Sequence, residues 1–415
     1  MATTELPELY YDPYDYGIDR NAPAVWARLR DEAPLYRNDE HDFWAVSRYD
    51  DVLAGMLDVD TYRSGHGTVL EMMTEREFPM PMFIFRDAPD HTLMRKLVSR
   101  AFTPRAIGGL EDRIAAICDE LLDPFAGVDR FDYVDRFGAI LPPTVILALL
   151  GFPAGFAEDL RDSMDSNLHV DEGETGGALA TSPNRPPGSV IDEAGNIGSA
   201  VFDQVPALCE LRRAEPTDDM LTILATHELE RADGSTSPLT TEEILAYTAL
   251  IAGAGAETVA RMLGWAAVLL ARHPEQRALL QADRSLIPGA IEEILRYEAP
   301  SPVQARWVEH DVDVHGTTIP AGSKMLLLNG SGNRDPRQFP DPDRFDVRRK
   351  IDRHLSFGYG AHFCIGAALA RLEGRIALEQ TLDRFGDWHV DESEVEWVHT
   401  STVRGYHRVP IQVSN

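Results

Sequence analysis

The stretch Phe357-Gly358-Tyr359-Gly360-Ala361-His362-Phe363-Cys364-Ile365-Gly366 runs without a break into AALARLEGRIALEQTL at residues 367 to 382. The second part has helical periodicity, so a helix is expected from about Ile365 to Arg384, with Cys364 at its N-terminus. There, unpaired N–H groups and the positive end of the helix dipole favour a thiolate, the form that binds metal or acts as a nucleophile. Gly358, Gly360 and Gly366 clear side chains from around the sulfur, so backbone amides and a large planar ligand can approach closely. A lone cysteine is otherwise an ordinary buried residue. The glycine spacing fails the dinucleotide-binding fingerprint, and no apolar strand precedes it.

Working outward, the 415-residue chain carries 39 Lys plus Arg against 68 Asp plus Glu, a net charge of −29. That argues against general affinity for nucleic acid or anionic lipid. With 44% hydrophobic and 26% charged residues the composition is that of an average globular protein and excludes global disorder. Length alone suggests two or three domains. Cys118, Cys209 and Cys364 are too few and too scattered for a disulfide framework or a C-x-x-C metal site, which points to a reducing, cytoplasmic location. The N-terminal MATTELPELYYDPYDYG lacks the regions of a signal peptide, and no uncharged apolar run reaches the roughly 18 residues needed to span a membrane, so a soluble protein is expected.

Pro23 opens a helical pattern through Val25, Trp26 and Leu29, followed by a hairpin around Asn38 to Asp42 that ends in Phe43, Trp44 and Val46. Helical periodicity then covers Asp51 to Leu57, His91 to Phe102, Ala106 to Leu122, Leu141 to Leu150, Val201 to Arg213, Thr241 to Arg272 and Pro288 to Tyr297. Short strands are expected in Val308 to Val314, in Thr317 to Leu328 and in the last thirty or so residues. The fold class is therefore mainly α with small β-sheets. The segment Thr61 to Arg86, rich in Met and Phe, reads equally as a loop over an apolar cavity or as ordinary core. Asp171 to Gly188 reads as a lid or a solvated connector.

Three further patterns have unremarkable readings in isolation. Glu293 and Arg296 at i, i+3 on a helix make an ordinary salt bridge, and His91 and Arg95 one turn apart make a surface pair. Ala252-Gly253-Ala254-Gly255-Ala256-Glu257-Thr258 puts glycines inside a long helix at a cost of about 1 kcal/mol each, which close helix packing would explain for one of them.

Taken together, these residues resemble the cytochrome P450 superfamily. Phe357, Gly360, Cys364 and Gly366 fill every defined position of its haem-binding loop, F-x-x-G-x-x-x-C-x-G, and Ala368 to Glu373 is similar to the soluble bacterial branch. The resemblance implies the cytochrome P450 fold, a single catalytic domain over residues 1–415, and haem b (iron protoporphyrin IX) with Cys364 as the iron ligand. It implies that Glu293 and Arg296 join Arg344 of Pro342-Asp343-Arg344-Phe345 in a structural brace, and that Asn333-Arg334-Asp335-Pro336 is the loop between them. Ala254, Gly255, Glu257 and Thr258 match A-G-x-(D/E)-T over the distal haem face, where Glu257 and Thr258 would be the catalytic acid and alcohol that relay protons. Val259 stands where relatives often carry a second threonine. Asp87-Ala88-Pro89 with His91 and Arg95 is similar to the D-x-P-x-H-x-x-x-R propionate clamp. Arg306 and His362 fill the other cofactor-binding positions.

The function so implied is a haem-thiolate monooxygenase acting on an apolar lipid, terpenoid or steroid-like molecule. Since no flavin-domain sequence is fused, a separate ferredoxin or flavodoxin with its reductase would supply electrons. A peroxide-using or isomerising haem-thiolate enzyme is the alternative, and Glu257 with Thr258 argues against it; a haem sensor is a further one. The cavity wall is expected from the Met-rich segment, Ala254, Val303, Gln304 and Thr400 to Val403. Arg344, Arg348, Arg349, Lys350 and Arg353, with Arg371 and Arg375, form a basic island expected partly on the thiolate side, where an acidic partner would dock, Arg344 itself being expected as an internal brace.

Overall fold

The computed structural model describes residues 8–168 and 199–414, with helices dominating and the strands gathered into small sheets. Asp171 to Gly188 lies outside the described residues.

The 32-residue helix Thr241–Arg272 is the axis of the core. It starts on a capping box. The Thr240 hydroxyl accepts from the Glu243 N–H at 3.1 Å, and the Glu243 carboxylate accepts from the Thr240 N–H at 2.8 Å. Its length and composition would let it cross a bilayer, but 78% of its most apolar window is buried among other helices. Leu141–Leu150, Ala157–Leu168, Ile287–Tyr297 and Ala367–Arg384 all pack on it. A Cβ on Gly255 would lie 2.8 Å from Ile146 Cγ1, and one on Gly253 would lie 2.9 Å from Met164 Sδ. Close approach of the two preceding helices thus accounts for both glycines.

Leu35–Asn38 and Phe43–Val46 form the expected hairpin, and Phe43–Val46 continues the sheet by pairing in parallel with Lys324–Leu327. Gln304–Val308 follows antiparallel, and Tyr62–Arg63 closes the edge. Because side chains alternate along a strand, Gln304 and Arg306 share a face, and both reach the cavity described below.

Several helices differ from expectation for local reasons. Ala106 to Leu122 is two helices, Pro104–Gly108 and Glu111–Leu122, parted at Gly108-Gly109. Val201 to Arg213 splits into Ser199–Phe202 and Val205–Ala214, the second with Pro206 in its first turn. Arg130–Asp132 joins the C-terminal strands Asp387–Val390 and Pro410–Ser414 in a sheet that no local pattern announced.

The brace corrects one expectation. Glu293 and Arg296 are fully buried and doubly bonded, at 2.6 and 2.9 Å. The arginine that joins them is Arg349, 3.2 Å from Glu293, which also donates to the carbonyls of Pro340, Asp341 and Arg344. Arg344 instead points outward with its side chain 68% exposed, 3.5 Å from Asp346. A turn after Phe345 is what brings the later arginine inward: Phe345 and Val347 are buried, and the Asp346 N–H bonds to Glu293 at 3.0 Å.

Candidate active site

The loop before Ala367–Arg384 is held by its own backbone. The Cys364 N–H donates to the Phe357 carbonyl at 2.8 Å, and Gly358 and Gly360 take φ of 66° and 71°. A Cβ on Gly360 would also lie 3.1 Å from the Met56 carbonyl oxygen, so conformation and space both call for glycine. The helix begins at Ala367 with Gly366 as its cap, leaving Cys364 just ahead of it, where the backbone N–H groups of Gly366 and Ala367 favour its thiolate form. Burial pushes the Cys364 thiol up, and it outweighs these two amides together with Arg95 and Arg371. The helix terminus alone therefore does not secure a thiolate here. A bound metal cation would, since it deprotonates a coordinating thiol outright.

Cys364 faces a cavity of about 290 Å³ whose opposite wall is the central helix at Ala254, Gly255 and Thr258. Arg95, Arg306 and His362 also line it. His91 stands behind, its ring centroid 4.1 Å from that of His362. Arg95 donates to the Phe363 carbonyl, and Arg306 donates to the Ala305 carbonyl at 2.7 Å. Among the described residues none of the four has a carboxylate partner, and the buried His91 Nε2 has no hydrogen-bond partner. Burial, with Arg306, His91 and Arg95 adding repulsion, lowers His362 to about 2. Burial and Arg95 lower His91 to about 4, and burial lowers Arg306 to about 10. So dense a cluster of basic groups is an anion site, and the two propionates of haem supply the charge it lacks. The residues present therefore fit the group: a thiol with converging amides, a glycine-cleared loop, an apolar cavity and a basic edge.

Thr258 presents its hydroxyl to the cavity, bonded to the Ala254 carbonyl at 3.1 Å. Glu257 does not line the cavity. It is buried against Arg261, whose Nε lies 2.9 Å away.

A family profile described as Cytochrome P450 matches residues 74–413. The chain belongs to the cytochrome P450 family. This P450 is 40% identical over 410 residues to cytochrome P450 123 of Mycobacterium tuberculosis, covering 98% of each chain. It is 34% identical over 425 residues to 6-deoxyerythronolide B hydroxylase of Saccharopolyspora erythraea, covering 99% of each. Among solved structures, CYP109E1 from Bacillus megaterium in complex with testosterone shares 28% identity at a TM-score of 0.82, covering 95% of this chain and 98% of that one. The P450 fold and the mainly α class with small sheets are thus those of the family, and the chain is a P450 monooxygenase.

The cavity wall of this P450 departs from the sequence expectation in two places. Met72, Met82, Phe78 and Phe85 pack with Ala246 in a separate buried cluster, and of the Met-rich segment only Thr68, Phe83 and Ile84 reach the cavity. Val303 and Thr400 to Val403 line a separate small pocket beside Tyr11 and Trp26. Glu373, which sequence reasoning passed over, reaches the cavity from the helix behind Cys364. Its Oε2 has no hydrogen-bond partner among the described residues, and burial drives its carboxyl well above the usual range.

Proposed function

We propose that this P450 inserts one oxygen atom of O2 into an apolar small molecule of the steroid, terpenoid or macrolide-like class, in the cytoplasm, with electrons from a separate ferredoxin or flavodoxin and its reductase. The observation that carries the reading is the convergence of Cys364 and an anion-demanding basic edge on one cavity, with the Thr258 hydroxyl on its far wall. Haem b bound there supplies two-electron activation of O2, one atom going to the substrate and the other to water, with its cysteine ligand donating electron density to iron.

The chain's own residues divide the remaining work. Cys364 is the iron ligand, and Arg95, Arg306, His362 and His91 hold the carboxylates. Phe83, Ile84 and Leu250 give the cavity an apolar wall that excludes water and admits an apolar guest. Thr258 offers a proton to oxygen held in the cavity, and Glu257 restores it from behind the helix. The substrate class is supported by this wall and by two relatives, one named as hydroxylating 6-deoxyerythronolide B and the other bound to testosterone.

For the electron partner, the basic island is narrower than its sequence suggests. Arg349 belongs to the brace, Arg371 pairs with Glu292 at 2.6 Å, and Arg375 pairs with Glu111 and Glu379. Arg348, Lys350 and Arg353 are exposed with no ion pair among the described residues, and Arg353 lies over Tyr359 of the cysteine loop, whose ring adjoins the exposed Phe363. These form the docking patch.

The test is reconstitution. Purified protein with a surrogate ferredoxin and reductase, offered steroids and macrolide aglycones that shift the haem spin state, should consume NADH and yield an oxygenated product. Turnover with hydrogen peroxide but not with NADH and the partners would favour the peroxide-using alternative.

A further inference from the structure

Glu257 ends a chain of charges that reaches the surface. Arg261 is 1% exposed, and all three of its guanidinium nitrogens are committed. Nε donates to Glu257 at 2.9 Å, Nη1 donates to the Tyr406 carbonyl at 2.7 Å, and Nη2 lies 2.7 Å from Glu257 and 2.5 Å from Asp165. One nitrogen therefore serves two carboxylates on different helices. The other oxygen of Asp165 lies 3.2 Å from Nδ1 of His407, whose side chain is 44% exposed. The strand bearing His407 can lie on Arg261 only because residue 405 is glycine, where a Cβ would come 2.8 Å from that of Arg261.

We propose that His407 and Asp165 are positioning residues for Glu257, acting through the shared Arg261 to set how firmly its carboxylate is held behind Thr258. The inference rests on the reading of Thr258 and Glu257 as the proton-handling pair. With His407 protonated the four side chains are electrically balanced, and Asp165 is satisfied from both sides. Without that proton the cluster carries one uncompensated negative charge in a largely buried place. Asp165 then draws on the shared Nη2, the hold on Glu257 loosens, and Glu257 gains affinity for a proton. A guanidinium does not pass protons on, so the coupling is electrostatic and runs in both directions.

The groups facing this chain are few. His407 faces Asp165 from helix Ala157–Leu168, Arg261 from the central helix and Glu396 from the paired strand; Glu257 faces Arg261 and Asp165. The hydrogen bond to Asp165 raises His407 above its ordinary value, while burial raises Glu257.

Because the coupling is reciprocal, it can be read at the surface end in the haem-loaded protein without turnover. In an NMR titration of histidine-labelled protein, with His407→Gln assigning the resonance, Glu257→Gln should lower the His407 midpoint by about 0.3 pH or more. Asp165→Asn should lower it further. A midpoint that Glu257→Gln moves by less overturns the proposal.

Peroxide released per NADH oxidised, measured with a surrogate ferredoxin and reductase and no organic substrate, gives a second reading. His407→Arg and His407→Gln should each flatten its pH dependence, bracketing a wild type that passes from one to the other as pH rises through the His407 midpoint read by NMR. Parallel profiles for all three would also overturn the proposal. If Thr258→Ala leaves coupling unchanged, the proton-handling reading itself fails, whatever His407 does.

Discussion

Thr258 and Glu257 are consecutive on the central helix, and only Thr258 reaches the cavity. The hydroxyl lines the cavity over the Ala254 carbonyl at 3.1 Å, and the carboxylate is buried 2.9 Å from the Arg261 Nε. An alcohol on the cavity side of the helix and a salt-bridged acid packed away from the cavity suit stepwise proton supply, in which the alcohol meets oxygen first.

Thr258→Ala should therefore keep fold, haem and ligand binding while diverting NADH into peroxide. The substitution places the best helix former in a helix that already carries glycines, so stability should change by less than about 1 kcal/mol. For any molecule that shifts the spin state, product per NADH should fall severalfold. Unchanged coupling would remove Thr258 from the mechanism and leave the haem assignment intact.

Arg349 and Arg353 lie close in sequence and should respond differently to charge reversal. Arg349→Glu puts a second anion beside the buried Glu293 and should cost about 3–5 kcal/mol, seen as a lower urea midpoint. Arg353→Glu, exposed and stacked over Tyr359 at 4.8 Å, should leave stability nearly unchanged. It should instead slow stopped-flow reduction by a ferredoxin at low salt, with the difference shrinking as salt rises. Rates indifferent to both the reversal and the salt would eliminate docking at this face.

Arg95→Ala should lower haem occupancy after purification well below that of the exposed control Arg113→Ala, because a carboxylate then loses a cationic partner at the basic edge. Equal occupancy in the two variants would count against the clamp.

Glu373 gives a prediction with a definite sign. A carboxyl raised in the folded state binds its proton more tightly there than in the unfolded chain, so stability falls as pH rises above the ordinary carboxyl range. Glu373→Gln removes that dependence. It should be more stable than wild type at neutral pH, with the gain closing below about pH 4. A gain that is the same at both pH values would show that Glu373 is not held protonated.

What the sequence disclosed followed from what is local in each feature. The cysteine loop was readable because its glycines and its cysteine are fixed by their own backbone, and the central helix because its periodicity lies within one element. Arg349 was not legible: which of two nearby arginines turns inward is decided by the burial of Phe345 and Val347. Val303 and Thr400 to Val403 were misplaced for a similar reason, since they lie in the connections flanking strands, and it is packing beside Tyr11 and Trp26 that turns them to the small pocket. The Arg261 network joins two helices and a hairpin and has no signature in any one of them.

The central claim is that Cys364 ligates haem iron as a thiolate. The measurement that tests it most directly is the absorption spectrum of the reduced carbon monoxide complex, for wild type and for Cys364→His. Wild type should show the strongly red-shifted Soret band of thiolate ligation, and Cys364→His, if it retains haem, should show the shorter-wavelength band of an imidazole ligand. A red-shifted band that survives in Cys364→His, or its absence from haem-loaded wild type, would contradict the assignment.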